Sequence, residues 1–190
     1  MKEEGIIISP ELARIHAHLC GDGSVFRYKT MEKDRVNRAV IGYYNKNQRL
    51  LDNFRRDFNE IFNVKMKMRQ GREVYVQSIK LFNLLINNFG SFHSKDWRIT
   101  DSIKSSSKEI KLEWLKAFFE DEAYREKRYN RLKIKSVNYL GLKDVKGMLR
   151  SLGVDSSLTG PNCDNTYYLT ISHFDNIHEF RGFVKEPARK

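Results

Sequence analysis

The chain reads as one order of secondary structure written twice, and nothing else in it narrows the possible folds as much. Ser9-Pro10-Glu11 has the form of a helix start, with serine as the cap, proline at the first helical position and an acid in the first turn. The helix continues through Leu12, Ile15 and Leu19 and should stop at Gly21-Asp22-Gly23. Strands are expected over 24–28 and 38–44, joined by a charged loop over 29–37. A helix over 47–62 follows from the spacing of Leu50, Leu51, Phe54, Phe58, Ile61 and Phe62. Strands 64–68 and 73–77 flank Gln70-Gly71, and a helix over 78–89 closes the series. After a polar stretch the order returns. A helix begins at Ser107 and runs through Leu112, Leu115, Phe118 and Phe119. Strands 124–129 and 131–137 come next, then a helix over 139–152 that ends at Gly153. Strands 155–159 and 166–171 surround Gly160-Pro161, and a last helix is expected over 173–183.

Two αββαββα units in tandem have a period of roughly 85–100 residues, far longer than the repeats of solenoids. The expectation is therefore an α+β, pseudo-symmetric single chain produced by duplication. Residues 1–89 form one half with its opening helix over 9–22, and residues 108–190 form the other with its opening helix over 108–122. Residues 90–107 are the linker, which Trp97 should pack down. Lys and Arg number 35 against 24 Asp and Glu, a formal net charge of +11. So large a surplus makes a polyanion the default partner, nucleic acid ahead of an anionic membrane. No apolar run approaches the roughly 18 residues of a membrane span, and 1–10 lacks the apolar stretch of a signal peptide. Cys20 and Cys163 form no zinc spacing or disulfide framework, so a soluble intracellular protein is expected. His16 and Cys20 share a helix face without a further soft ligand nearby, which favours packing over zinc; His173 and His178 share no face.

The two opening helices carry the chemistry. One reads Ile15-His-Ala-His-Leu-Cys-Gly-Asp22-Gly23 and the other Leu115-Lys-Ala-Phe-Phe-Glu-Asp-Glu122-Ala123. Each starts with an apolar residue, has alanine third (Ala17, Ala117) and an acid eighth (Asp22, Glu122). Positions three and seven lie one turn apart on a single face, so small residues there let two helices approach closely. The acid stands at the helix C-terminus, where the macrodipole favours cations. Packing two such ends together would gather carboxylates and free carbonyls into a cluster suited to a hard divalent cation.

These paired segments resemble the signature of the LAGLIDADG homing endonucleases, and the αββαββα order extends the resemblance along the whole chain. The monomeric, archaeal, intron-encoded members are the most similar in size and linker. The resemblance implies two antiparallel sheets that form a DNA-binding saddle, with the motif helices at its centre. It also implies a site-specific endonuclease that cuts both strands of a long, non-palindromic duplex as a monomer, in the cytoplasm of an archaeon or in an organelle. Metal ligands would be Asp22, Glu122, Gly21 and Asp121. Mg²⁺ would be the cofactor, with Mn²⁺ able to substitute and Ca²⁺ supporting binding without cleavage. By position, Asn45, Lys46, Ser136 and a base just after the second motif, Arg125 or Lys127, match the polar residues that surround the family's acids. Two places depart from the pattern. Ala123 stands where glycine is usual, so a non-glycine residue must turn the chain there, and Asp121 stands where a small residue is usual, so it should either splay the helices or add a third carboxylate beside the metals.

The strands supply the remaining candidates. Lys65, Lys67 and Arg69, with Arg72 after the turn, and Arg131, Lys133 and Lys135 fall on single faces at period two, with Leu132 and Ile134 turned inward. Their single sign points to a phosphate-facing and base-facing surface, shared with Arg27, Lys29, Arg38 and Gln77. Tyr28, Tyr43, Tyr75 and Tyr168 are expected to share that surface. Two rival readings are an RNA maturase or catalytically decayed DNA-binding relative, kept alive by Asp121 and Ala123, and a basic ribosomal or RNA-packaging protein. The duplicated acid-ended helices have no purpose in the latter.

Overall fold

The computed structural model describes residues 6–29 and 37–173. Helix α1 spans Pro10–Cys20, and the Ser9 hydroxyl caps it by accepting the Leu12 N–H at 3.2 Å. Strands β1 (Gly23–Lys29) and β2 (Asn37–Tyr44) follow, then α2 (Gln48–Phe62), β3 (Lys67–Arg69), β4 (Glu73–Gln77) and α3 (Ile79–Phe89). Gln70 and Gly71 both take positive φ in the tight β3–β4 turn. After a short helix α4 (Asp101–Lys104) the order repeats as α5 (Lys108–Glu122), β5 (Ala123–Glu126), β6 (Arg131–Ser136), α6 (Tyr139–Ser151), β7 (Ser157–Thr159) and β8 (Tyr167–Ser172). Ser107 caps α5 as Ser9 caps α1, accepting the Ile110 N–H.

Both sheets are four-stranded and antiparallel, with orders β1-β2-β4-β3 and β5-β6-β8-β7. The second order is the first moved on by one repeat, so the α+β duplication expected from the sequence is present in the pairing itself. Each sheet rests on its own opening helix, and the two helices pack against each other. Apolar residues of both halves form one continuous core, including Leu12, Ile15, Leu19, Ile41, Phe54 and Phe58 from the first and Trp114, Leu115, Phe118, Leu132 and Ile134 from the second.

Four local expectations are corrected. Strand β3 is shorter than 64–68 because Met66 turns into the core before the pairing with β4 begins. Strand β5 stops at Glu126, where Lys127–Tyr129 wind into a 3-10 turn closed by Asn130 in the left-handed region. The segment 90–107 contains α4, too short to show a period in sequence. Ala123 needs no special conformation: α5 runs on to Glu122 and Ala123 is ordinary extended backbone, φ −92 and ψ 142. Residues 30–36 of the loop expected over 29–37, and residues 174–183 of the helix expected over 173–183, lie outside the described residues.

The segment 90–107 is fastened to the second half. Trp97 is buried, its ring 5.2 Å from that of Phe118 and against Gly141, where an added Cβ would stand 2.5 Å from the indole. Asn138 donates from Nδ2 to the Trp97 carbonyl at 2.7 Å. Arg98 holds Asp144 with two bonds of 2.6 and 2.9 Å, and the Ile99 N–H donates to the same carboxylate. Truncating a buried tryptophan forfeits its burial and leaves a cavity. Trp97→Ala should cost about 3–5 kcal/mol in urea unfolding; a loss under about 1 kcal/mol would show that the segment is a loose tether.

Candidate active site and nucleic-acid interface

The crossing of α1 and α5 brings the two motif acids together. Ala17 and Ala117 are buried in the crossing, and a Cβ on Gly21 would lie 2.9 Å from Asp121 Cβ, so only glycine fits there without displacement. A Cβ on Gly23 would strike the Leu19 backbone at 2.4 Å, which fixes glycine just after Asp22. Gly21 leaves helical geometry at ψ −103, which takes its carbonyl out of the ladder at the end of α1. Glu122 is the last residue of α5. Burial, then the charges of Asp22 and Asp121, push the Glu122 carboxyl up to about 7. Asp22 keeps exposed surface at the mouth of the site. Protein atoms still crowd its carboxyl, and burial followed by the charge of Asp121 pushes it up to about 6. His18 and the bond from Asn45 act in the opposite direction on Asp22.

Asp121, the unusual seventh residue, neither splays the helices nor faces outward. Its side chain has no exposed surface. One oxygen meets His18 Nδ1 at 2.8 Å, and the other accepts from Tyr43 OH at 2.7 Å and from Asn45 Nδ2 at 3.3 Å. Asn45 Nδ2 also donates to Asp22 at 3.2 Å. Tyr43 is fully buried and lies in the core rather than on the strand surface proposed for it from sequence. Its place was legible, since Ala39, Ile41 and Tyr43 form the apolar alternation of β2. His18 was missed, although a buried carboxylate demands partners and His18 lies one turn before Asp22. His16 is a packing residue. It accepts from Trp114 Nε1 at 2.9 Å across the crossing, and burial lowers it to about 3.

Strand register sorts the remaining candidates into two groups. Tyr43 and Ile134 point toward the helices, so Asn45 and Ser136, two residues further along, share that side. Both bond to the chain ahead of the next helix: Asn45 Oδ1 accepts the Asn47 N–H at 2.9 Å, and Ser136 Oγ accepts the Asn138 N–H at 3.1 Å. Arg125 pairs with buried Leu132 and is half-buried on the same side. Lys46 and Lys127 are exposed beyond the strand ends.

The opposite faces carry the DNA-binding candidates. In the first sheet Arg38, Lys67, Arg69 and Gln77 share one face with Phe26, Tyr28, Tyr44 and Tyr75. In the second, Arg131, Lys133 and Lys135 share it with Tyr124, Tyr168 and Thr170, while Leu132 and Ile134 are buried. Arg27 is opposite buried Ala39 and so belongs to the helix-side face; it does not join Arg38. Lys65 precedes β3 and Arg72 lies in the turn, both exposed. The side chain of Lys29 lies outside the described residues. The basic faces are not of single sign. Glu73 pairs with Arg69 at 3.2 Å, Glu126 with Lys133 at 3.0 Å and Asp164 with Lys135 at 2.6 Å, acids that neighbouring strands and turns bring in.

Among the described residues no three His, Cys, Asp or Glu side chains are placed to hold a metal ion. Asp22 and Glu122 come together at the helix ends, where the charge of one raises the other, and both are oxygen donors of the kind a hard cation takes. Water or a phosphate would complete the coordination. No helix among the described residues is long and apolar enough to cross a membrane.

A family model described as LAGLIDADG-like domain matches residues 109–184. No curated protein matches the chain. Among solved structures it resembles I-DmoI in complex with DNA and Mn, at 23% identity and TM-score 0.67, over 95% of this chain and 99% of that one. It also resembles the homing endonuclease I-GzeII in complex with its DNA target, at 13% identity and TM-score 0.53, over 94% and 85% of the two chains. A third is the N-terminal LAGLIDADG domain of DUF199/WhiA, at 9% identity and TM-score 0.51, over 97% and 88%. What these likenesses establish is the fold.

The raised carboxyls give a signed expectation. From about pH 4 to about pH 7 the folded chain keeps protons on Asp22 and Glu122 that the unfolded chain releases, so these groups lower stability as pH rises through that window. The melting temperature of metal-free Glu122→Gln, measured against wild type, should therefore gain more at pH 8 than at pH 5. A difference independent of pH would show that the acids do not repel.

Proposed function

From a chain that carries a LAGLIDADG-like domain and has the fold of I-DmoI, we propose a site-specific endonuclease that cuts both strands of double-stranded DNA. The observation that carries this reading is the meeting of Asp22 and Glu122, one from each repeat, at a single helix crossing between two sheets with basic faces. One chain holds both acids, so it acts as a monomer, and its unlike halves suit a long, non-palindromic site.

Asp22, Glu122 and the Gly21 carbonyl would hold a divalent cation against the phosphodiester. I-DmoI has been solved beside DNA with Mn and with Ca, and a variant of it in the presence of Mg. Bound between carboxylates and phosphate, such an ion supplies an activated water and neutralises charge on the leaving oxygen. The chain's own groups do the rest. Asn45 keeps Asp22 aimed into the site. Ser136 stands in the second repeat where Asn45 stands in the first, and would present a hydroxyl to order water. Arg125, Lys46 and Lys127 set positive charge around the scissile phosphates. On the sheet faces, Arg131, Lys133, Lys135, Arg38, Lys67, Arg69, Arg72 and Gln77 reach phosphates or base edges, and the acids paired to three of them yield to DNA on binding. Mg²⁺ is the proposed working ion, with Mn²⁺ a substitute and Ca²⁺ a support for binding alone. The maturase or decayed reading drew on Asp121 and Ala123, and both residues are accommodated without distortion.

The test is selection of cleaved sites from a random duplex library with Mg²⁺. Wild type should yield one extended consensus. On it, Asp22→Asn and Glu122→Gln should each abolish double-strand cleavage and leave binding in Ca²⁺ largely intact, because phosphate contacts elsewhere provide most of the affinity. Cutting by either variant at the wild-type rate would remove that acid from the metal site. Replacing a phosphate contact among Arg131, Lys133 and Lys135 by alanine should flatten the salt dependence of binding by about one unit. A variant lacking all three basic side chains that binds like wild type would remove this surface from the interface.

A further inference from the structure

We propose that Asp121 is a positioning residue: with His18, Tyr43 and Asn45 it orients Asp22 and not Glu122, so that the two strands of a bound duplex are cut in unequal steps. The inference rests on the endonuclease reading above. Its starting point is that both Asp121 oxygens are already engaged, one by His18 and one by Tyr43 and Asn45, in a side chain with no exposed surface. With both oxygens engaged and its side chain shut off from solvent, Asp121 serves in this proposal to position rather than to bind the metal.

What Asp121 does instead follows from the chain of bonds. His18 is itself fixed, its ring 4.7 Å from that of Tyr43 and 5.9 Å edge-on to Phe54. The Asn45 amide is held at both ends. Its oxygen accepts the Asn47 N–H, and its nitrogen is shared by Tyr43 OH at 3.1 Å, Asp121 and Asp22. An amide so pinned has one orientation, with N–H toward Asp22. A carboxylate contributed by the second repeat thus orders the acid of the first.

Among the described residues the reverse arrangement is absent. Gly23 pairs with Tyr43 and Ala123 with Ile134, so Ile134 stands where Tyr43 stands and Ser136 where Asn45 stands. The counterpart of Asp121 in the first motif is Gly21, which has no side chain to give. Isoleucine donates nothing, and serine is too short to repeat the bridge. Groups that orient a metal-binding side chain typically change metal affinity or activity about 10–100-fold when removed, and here they act on one acid of two.

The experiment is strand-resolved cleavage of a selected duplex labelled on either strand. Tyr43→Phe removes one hydroxyl and keeps the ring packing; Asp121→Asn keeps volume and removes the charge, and it is compared with wild type at about pH 8.5, above the point near 7 where that charge also acts on Glu122. Both should slow cleavage of the same strand by about 10–100-fold while the other strand keeps its rate, so that nicked duplex accumulates. Equal slowing of both strands would reveal a merely structural role and overturn the inference, as would unchanged rates on both. Melting temperatures of the variants separate misfolding from either result. If wild type cuts no duplex, the endonuclease reading fails, and Mn²⁺ titration of the free protein decides the inference by itself. A fall in affinity of about 10–100-fold in Tyr43→Phe would uphold the positioning of Asp22, and unchanged affinity would overturn it.

Discussion

The close crossing of α1 and α5 is the constraint on which the rest of the molecule depends. Ala17, Ala117 and Gly21 let the helices approach, and the approach sets Asp22 near Glu122. It places like charges together at two negative helix ends, which no isolated fold would favour. Contacts along the same crossing offset that repulsion. Trp114 donates to His16 in a dry environment, and Arg14 reaches from α1 to Asp57 on α2 at 2.7 Å and to Glu113 on α5 at 2.6 Å. The stabilising contacts of the crossing lie along the helices, and its like charges lie at their ends.

The repeats agree in topology and differ where the chemistry is. Gly23 and Ala123 follow the two acids, yet α1 turns through Gly21-Asp22 while α5 runs straight on to Glu122. The turn in the first motif brings Gly23 against the Leu19 backbone, which excludes a side chain. Without that turn alanine is admissible. Likewise Gly21 leaves room for Asp121, and Asp121 is then stabilised only because Tyr43 and His18 belong to the first repeat. Pseudo-symmetry is kept in the strand and helix order and broken at the motif ends, in backbone and side chains alike.

The strands separate two tasks by parity alone. Side chains on the helix side close the core, and Asn45, Ser136 and Arg125 share that side. Side chains on the other side form the basic and aromatic faces. Register is therefore a functional quantity here, because a slip of one residue would exchange the two sets.

The sequence by itself determined the element order, the duplication, the helix caps at Ser9 and Ser107, and the two motif acids. All of these are local: a period, a cap or a spacing along one chain segment carries each. It also determined the alternation that puts Leu132 and Ile134 inside and Arg131, Lys133 and Lys135 outside. The strand limits at Met66 and Glu126 and the helix α4 escaped it, because tertiary packing and short turns override weak local preference there. The acids Glu73, Glu126 and Asp164 beside the basic residues were hidden as well, since their pairing arises only when strands and turns are laid side by side. Only the tertiary structure decided the fate of Asp121. In sequence it is a misplaced acid in a small-residue position, and its meaning depends on His18, Tyr43 and Asn45, which the chain brings to it from the other repeat.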